Sequence, residues 1–229
     1  MGQIELNKVK TSIKSGKVAN TYLLVGSAGS DVLGCSFELI KSIIKSPYSG
    51  LEIPQQQASL EKLKSLTNPD IHYFYPVNTT KEIKTKASSE DFIAKWREIV
   101  SDETKINLSD WYSKIGLGNK QASINKDEAE KISKLASLKS YEGGVKIFLI
   151  WMAEKMNIAA SNKLLKLLEE PPLKTVFILV CEQENKLLDT IKSRCQKIYV
   201  NTQTPVNQEV NPEYEELFLE WVRAAFKVK

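Results

Sequence analysis

The chain has 229 residues, with 32 basic and 28 acidic side chains, so its net charge at neutral pH is only +4. A chain of this length can bury one substantial core, and the small basic excess permits contact with nucleic acid without arguing for it. The three cysteines, Cys35, Cys181 and Cys195, form no CxxC pair, and the amino-terminal segment MGQIELNKVK has no long apolar stretch. We therefore expect a cytoplasmic protein with no disulfide framework, no secretory signal and no membrane span.

Strand and helix patterns alternate along most of the chain. In chain order, the predicted elements are helix 4–15, strand 21–26, helices 30–45 and 55–66, strand 71–76, an exposed loop 77–87, helices 90–100, 108–115 and 126–140, strand 145–151, helix 158–169, strand 175–181, helix 186–192 and strand 197–200. Near-continuous apolar strands separated by helices are typical of a mostly parallel sheet covered on both faces. The predicted fold class is therefore α/β, with residues 1–200 forming the main domain.

The remaining segment, residues 201–229, is predicted to be a linker followed by one short amphipathic helix. The linker reads NTQTPVNQEVNP, and the helix covers residues 213–227. One face of that helix is apolar, with 3, 4 and 7 spacing of Tyr214, Leu217, Phe218, Trp221 and Ala225.

Gly26 ends the first predicted strand and opens a turn that leads into a helix. A GxxxxGK[ST] loop in this setting binds phosphates. Counted from Gly26, the second glycine position holds Asp31, and Gly29 lies inside the turn. The lysine and hydroxyl positions hold Val32 and Leu33, so the phosphate-binding charge and the Mg²⁺ ligand are both missing. We expect no nucleotide cofactor; taken alone, the segment favours a simple strand-to-helix turn.

The strand predicted at 145–151 lacks the acidic residues of a nucleotide hydrolase. Nucleoside triphosphatases of this architecture place Asp-Glu at the end of such a strand, whereas this chain has Trp151 and Met152. Neither side chain can hold a hard cation or accept a proton. Glu154 follows closely, and we interpret it as an exposed residue favoured by the dipole of a helix it opens. The single histidine, His72, is predicted to be half-buried in its strand, and we expect no metal site.

Two longer segments resemble a known family. WMAEKMNIAASNKLLKLLEEPPLKTVFILV, from residue 151, and NKLLDTIKSRCQ, from residue 185, are similar to the AAA+ modules of bacterial clamp-loader subunits, most closely those of the delta-prime type in DNA polymerase III. The similarity extends more weakly towards the amino terminus and covers roughly residues 1–200. It implies an arc of AAA+ subunits with ATP sites at the subunit junctions, in which delta-prime subunits commonly have no working ATP site of their own.

The resemblance also implies roles for particular residues. Arg194 of the Ser193-Arg194-Cys195 turn would reach the ATP site of the neighbouring subunit, while Ser193 and Cys195 would shape the turn. The strand end that senses the γ-phosphate in active members offers only Cys181 and Glu182 here. The implied function is a non-catalytic clamp-loader subunit that helps load the sliding clamp in DNA replication. Its implied partners are the motor and delta subunits, with primer-template DNA contacted only as part of the complex.

The chain departs from the family pattern in two places. Many relatives carry four cysteines of a zinc module in the region corresponding to 47–68, and this chain has none there. The family also continues into a helical lid and a collar domain. From the sequence we expect these to be absent or truncated in residues 201–229, which leaves assembly open.

Two other functions remain open at this point. The chain could be an active AAA+ ATPase with a rearranged site, although Lys41 and Lys45 lie too far into their helix to replace the missing lysine. It could also be a stand-alone nucleic-acid-binding module that uses Lys81, Lys84 and Lys86, although a loop of lysines is more often simply solvated.

Overall fold

A computed structural model describes residues 2–102 and 104–200 of the chain. In this part, five strands form one sheet in the order β2-β3-β4-β1-β5, and all neighbouring pairs are parallel. The strands are β1 (Thr21–Gly26), β2 (Ile71–Phe74), β3 (Lys146–Trp151), β4 (Thr175–Cys181) and β5 (Gln196–Val200). The expected α/β class with a parallel sheet is confirmed.

Helices cover both faces of this sheet. They are α1 (Gly2–Lys14), α2 (Val32–Ile44), α3 (Ile53–Lys64), α4 (Ile93–Asp102), α5 (Leu108–Ile115), α6 (Lys126–Ser137), α7 (Ile158–Glu169) and α8 (Asp189–Lys192). Successive side chains of a strand point to opposite faces, so Leu23 packs beneath α6 and α7 while Leu24 packs beneath α1 and α2. Every residue of β3 and β4 is buried, as expected for central parallel strands.

The segment between β2 and α6 is more ordered than its sequence indicates. The prediction of an exposed loop at 77–87 is wrong at Val77, Thr80 and Ala87, which are all buried. Val77 pairs with Ser123 in an antiparallel bridge, so the two ends of the segment are held together. Apolar residues of α4 and α5 join the same core cluster as Val77 and Ala87.

Two predicted helices end differently from their sequence patterns. The helix predicted at 126–140 ends at Ser137. The ammonium group of Lys146 caps this end by donating hydrogen bonds to the carbonyls of Leu135, Ala136 and Leu138. The helix predicted at 186–192 is reduced to α8, because the extended backbone at Leu188 interrupts it.

The predicted linker and helix in residues 201–229 lie outside the described residues, and the domain boundary near residue 200 stays a prediction. Within the described ranges, none of the helices has the length and apolar character needed to cross a membrane.

Candidate functional site

The loop after β1 is closed by the residue that stands at the second glycine position. Asp31 is the N-cap of α2, and its Oδ1 accepts hydrogen bonds from the Gly34 amide at 3.0 Å and from the Thr104 hydroxyl at 2.8 Å. A carboxylate at a helix N-terminus satisfies free amides and suits the helix dipole. Free amides and the helix dipole would also attract a phosphate. The carboxylate of Asp31 takes the position that such an anion would have.

Gly26 is required here because the loop folds tightly onto itself. A Cβ atom at Gly26 would lie 2.3 Å from Ser30 Oγ and 2.7 Å from Val32 Cβ, closer than real Cβ contacts allow. Ser30 Oγ is itself buried and has no hydrogen-bond partner among the described residues. The space above the glycine is therefore filled by the loop's own side chains.

The residues at the lysine and hydroxyl positions belong to the hydrophobic core. Val32 is 4% exposed and Leu33 is 1% exposed, and both join the cluster between α2 and the sheet. Their side chains contribute to folding by burying apolar surface, at about 25 cal/mol per Å². Both positions of this loop are therefore used for packing.

The end of β3 also carries buried apolar residues. Trp151 is 1% exposed and contacts the indole of Trp96 in α4, with ring centroids 5.4 Å apart. Met152 is also buried and has a left-handed backbone with φ of +54°, which is uncommon outside glycine. Trp151 and Met152 at this strand end are thus both enclosed by the core.

An aromatic cluster from the 77–123 segment covers this strand end. Trp96 stacks on Tyr75 at 4.5 Å and meets Trp111 edge-on at 5.5 Å. The Trp111 indole N–H donates to the Pro76 carbonyl at 2.8 Å, which satisfies its polar edge. Sequence reasoning missed this cluster, although a tryptophan in each of the helices predicted at 90–100 and 108–115 could have signalled a buried role.

The prediction of an exposed Glu154 is wrong. The residue lies in a short 3-10 turn after β3 and is 8% exposed, and its Oε1 accepts the Glu182 amide at 3.1 Å. Burial, followed by the charge of Glu154, raises the pKa of Glu182 above its usual value. The same two causes raise the pKa of Cys181 to about 12, so the thiol stays protonated.

In the described ranges, no group of three or more His, Cys, Asp or Glu side chains could hold a metal ion.

Arg194 lies at the opposite end of the sheet from the loop after β1. Gln196 is paired with Tyr22, so Arg194 lies near the level of Asn20, at the amino-terminal ends of the strands. Gly26 is at the carboxyl end of β1, six residues further on. At about 3.3 Å per residue, the two positions are separated by roughly 20 Å.

The side chain of Arg194 is held by residues of its own chain. Its Nε donates to Glu169 Oε1 at 2.7 Å, its Nη2 donates to the same oxygen, and its Nη1 donates to the Thr190 carbonyl at 2.6 Å. The arginine still borders an open surface depression of about 530 Å³, together with Asn20 and Gln196. The guanidinium is therefore fixed in direction and remains accessible to another molecule.

The neighbours of Arg194 support the turn. The Ser193 hydroxyl donates to the Thr190 carbonyl at 3.2 Å, and the Cys195 thiol donates to the Ile191 carbonyl at 3.1 Å. Burial raises the pKa of Cys195 to about 12, so this cysteine is a protonated packing residue rather than a reactive thiol.

Comparison with known proteins decides the family. Residues 2–204 match the family described as DNA polymerase III, delta subunit. The chain belongs to this family. Among curated relatives, the DNA polymerase III subunit delta' of Bacillus subtilis is 27% identical over 90% of this chain and 51% of its own length. The Escherichia coli subunit delta' is 39% identical over 33% of this chain and 21% of its own length.

The chain thus spans about half the length of the Bacillus subtilis relative. Among solved structures, a DNA polymerase III gamma subunit-related protein of Thermotoga maritima aligns with a TM-score of 0.52 and 21% identity. That alignment covers 94% of this chain and 53% of the other, and at this identity it speaks for the fold alone. It agrees with the α/β fold expected from the sequence.

Proposed function

We propose that this family member acts as a delta-prime-like clamp-loader subunit of DNA polymerase III, has no ATPase activity of its own and helps load the sliding clamp during DNA replication. The observation that carries the proposal is the position of Arg194 at the end of the sheet opposite its own degenerate loop. The relatives named subunit delta' support the same role.

The first half of the proposal concerns the chain's own nucleotide site. ATP binding in this fold needs a lysine charge, a metal-binding hydroxyl and open backbone amides. Val32 and Leu33 are buried in the core instead, and Asp31 presents a carboxylate that repels phosphate at short range. Trp151 leaves no carboxylate at the end of β3 to order Mg²⁺.

The second half concerns Arg194. At roughly 20 Å from Gly26, its guanidinium cannot contact an anion bound at the loop of the same chain. Its accessible depression at the edge of the sheet suits a nucleotide presented by an adjoining subunit. A planar guanidinium binds phosphate oxygens in a two-pronged geometry and stabilises the charge of a phosphoryl-transfer transition state.

The proposed partners are the motor subunit that presents this nucleotide and the delta subunit of the same loader. Primer-template DNA would be met only by the assembled complex. Among residues 2–102 and 104–200, no structural feature favours the two alternative functions. Lys41 is paired with Glu38 on α2 at 2.8 Å. Lys81, Lys84 and Lys86 are exposed on one loop, as solvated lysines usually are.

The test is reconstitution with the motor and delta subunits from the same source. Size-exclusion chromatography should show one complex, and its DNA-stimulated ATPase should fall when Arg194→Ala replaces the natural chain. The loss at that one junction is expected to reach about 10³-fold. Lys192→Ala is the matched control, because Lys192 is a cation on the same turn that pairs with Asp189. Unchanged clamp loading with Arg194→Ala would remove the arginine from the mechanism.

A further inference from the structure

The NKLLKLLEEPP segment carries part of the family resemblance. The proposed function gives no role to its two glutamates. The structure supplies one for Glu169. This residue is the last of α7, and it lies beside the turn that carries Arg194, although the two residues are 25 positions apart in sequence. The sequence match therefore contains two motifs that meet in space.

The contact between the two side chains is extensive. One carboxylate oxygen of Glu169 accepts from both Nε and Nη2 of Arg194, which fixes one edge of the guanidinium plane. The Thr190 carbonyl accepts from Nη1 on the other side at 2.6 Å. Nη1 also donates to the Ser193 hydroxyl at 3.4 Å. A guanidinium has five N–H groups, so one Nη2 N–H is left without an acceptor among the described residues.

We propose that Glu169 is the positioning residue of Arg194: it holds the guanidinium so that its remaining Nη2 N–H and its positive charge face the phosphate of a nucleotide bound by the adjoining subunit. This inference rests on the proposed function. Arginine side chains have many rotamers, and ordering one at the moment of reaction lowers the rate. A partner that fixes the side chain beforehand removes that loss.

The carboxylate also has an opposing effect, because a negative charge near the guanidinium weakens its attraction for phosphate. The Glu169 side chain is 45% exposed and the Arg194 side chain 29% exposed, so water screens this repulsion strongly. Hydrogen-bond geometry is not screened in this way. The positioning effect is therefore expected to exceed the repulsion.

Two substitutions separate the hydrogen bond from the charge. Glu169→Gln keeps a side-chain oxygen that can accept from Arg194 and removes the charge, whereas Glu169→Ala removes both. In the reconstituted complex, single-turnover ATP hydrolysis at saturating ATP should fall about tenfold with Glu169→Ala and recover most of that loss with Glu169→Gln. Glu170→Ala is the matched control, since the adjacent glutamate is exposed and follows α7 as its C-cap residue.

A structural role alone would not produce this pattern. Complex formation on sizing and the apparent ATP affinity should stay unchanged, because only the rate of the chemical step depends on the direction of Arg194. Glu169→Ala should also have no further effect in a chain that already carries Arg194→Ala.

The possible results are distinguishable. Equal or faster hydrolysis with both Glu169→Ala and Glu169→Gln would show that the carboxylate restrains Arg194 instead of positioning it, and would overturn the inference alone. A loss that persists in the Arg194→Ala background would also overturn it, because Glu169 would then act elsewhere. If Arg194→Ala itself has no effect, the part of the proposed function that assigns Arg194 to the neighbouring site fails, and the inference fails with it.

Discussion

The indoles of Trp96 and Trp151 are in contact, with ring centroids 5.4 Å apart and planes inclined at 49°. One belongs to α4 and the other ends β3, so this contact joins the 77–123 segment to the centre of the sheet. Nucleoside triphosphatases of this architecture carry an acidic residue at the end of such a strand. In this chain the 77–123 segment encloses that strand end.

The first prediction is that this contact is a major source of stability. Trp96→Ala should lower the free energy of unfolding by about 3–5 kcal/mol, since it removes a fully buried indole and leaves a cavity. Urea denaturation followed by circular dichroism measures the change. Tyr141→Ala is the control and should change stability by no more than about 0.5 kcal/mol, since that side chain is 85% exposed. A loss below 1 kcal/mol, on the order of a surface substitution, would contradict a packed role for Trp96.

The second prediction concerns restoration of the acidic residue. Trp151→Asp should destabilise the protein by more than about 4 kcal/mol, because it buries a carboxylate without a partner and opens a large cavity. Trp151→Phe should cost much less, since the position stays apolar. Thermal unfolding of the two variants makes the comparison. Equal stability of the aspartate and phenylalanine variants would mean that water reaches the end of β3.

The third prediction is that the natural chain does not bind ATP at micromolar concentrations. Asp31, Val32 and Leu33 together remove the anion-binding surface, so replacing Val32→Lys alone should not create binding. Isothermal titration calorimetry with Mg²⁺ and ATP provides the measurement. A micromolar dissociation constant for the unmodified chain would favour the rearranged-ATPase alternative.

The fourth prediction concerns Asp70, which anchors the loop before β3. Its two carboxylate oxygens accept the amides of Tyr141 at 2.6 Å and Glu142 at 2.8 Å. Asp70→Ala should cost about 3 kcal/mol, and Asp70→Asn less, since asparagine keeps one acceptor. Chemical denaturation should rank the natural chain above the asparagine variant and the alanine variant last. The exposed Asp127 gives a control, with an expected cost for Asp127→Asn below about 1 kcal/mol.

The fifth prediction concerns the pKa of the single histidine. Burial, followed by the nearby charge of Lys146, lowers the pKa of His72 below its usual 6.5, and Asp70 opposes this only in part. The unfolded chain therefore binds a proton at higher pH than the folded chain. The contribution of His72 to the free energy of unfolding is fully present above about pH 6.5. It declines as the pH falls towards the folded-state pKa.

NMR titration of the one imidazole measures this pKa without an assignment problem. Stability measured between pH 7 and pH 5 should decline less in His72→Gln than in the natural chain, since the variant lacks the group. A folded-state pKa above 6.5 would contradict the burial of His72 against Phe148.

The sequence predicted those parts of the fold that depend on local patterns. The bounds of α5, α7 and β4 agree with prediction, because their apolar periodicity is strong and a residue such as Asn107 or Asn157 caps each helix. The loop at 77–87 was predicted wrongly because its burial depends on contacts with α4, α5 and Ser123, which no local pattern reports.

In the candidate site, too, local features could be predicted from the sequence and long-range contacts could not. The missing lysine and acidic residues could be read directly from Val32, Leu33 and Trp151. The burial of Glu154 and the contact between Glu169 and Arg194 could not, since each joins residues 25 or more positions apart through the fold. Long-range hydrogen bonds of exposed or half-buried groups leave no periodic signal.

The separation of Gly26 and Arg194 at opposite ends of one parallel sheet gives the subunit a polarity. Under the proposed function, one end supplies an arginine to a neighbour, while the other end has no nucleotide to which a further neighbour's arginine could be directed. Head-to-tail contacts of this kind extend a series of subunits only while each member offers both halves of the junction. A chain that offers one half belongs at the terminus of such a series, so its place in the assembly would follow from the direction of its strands.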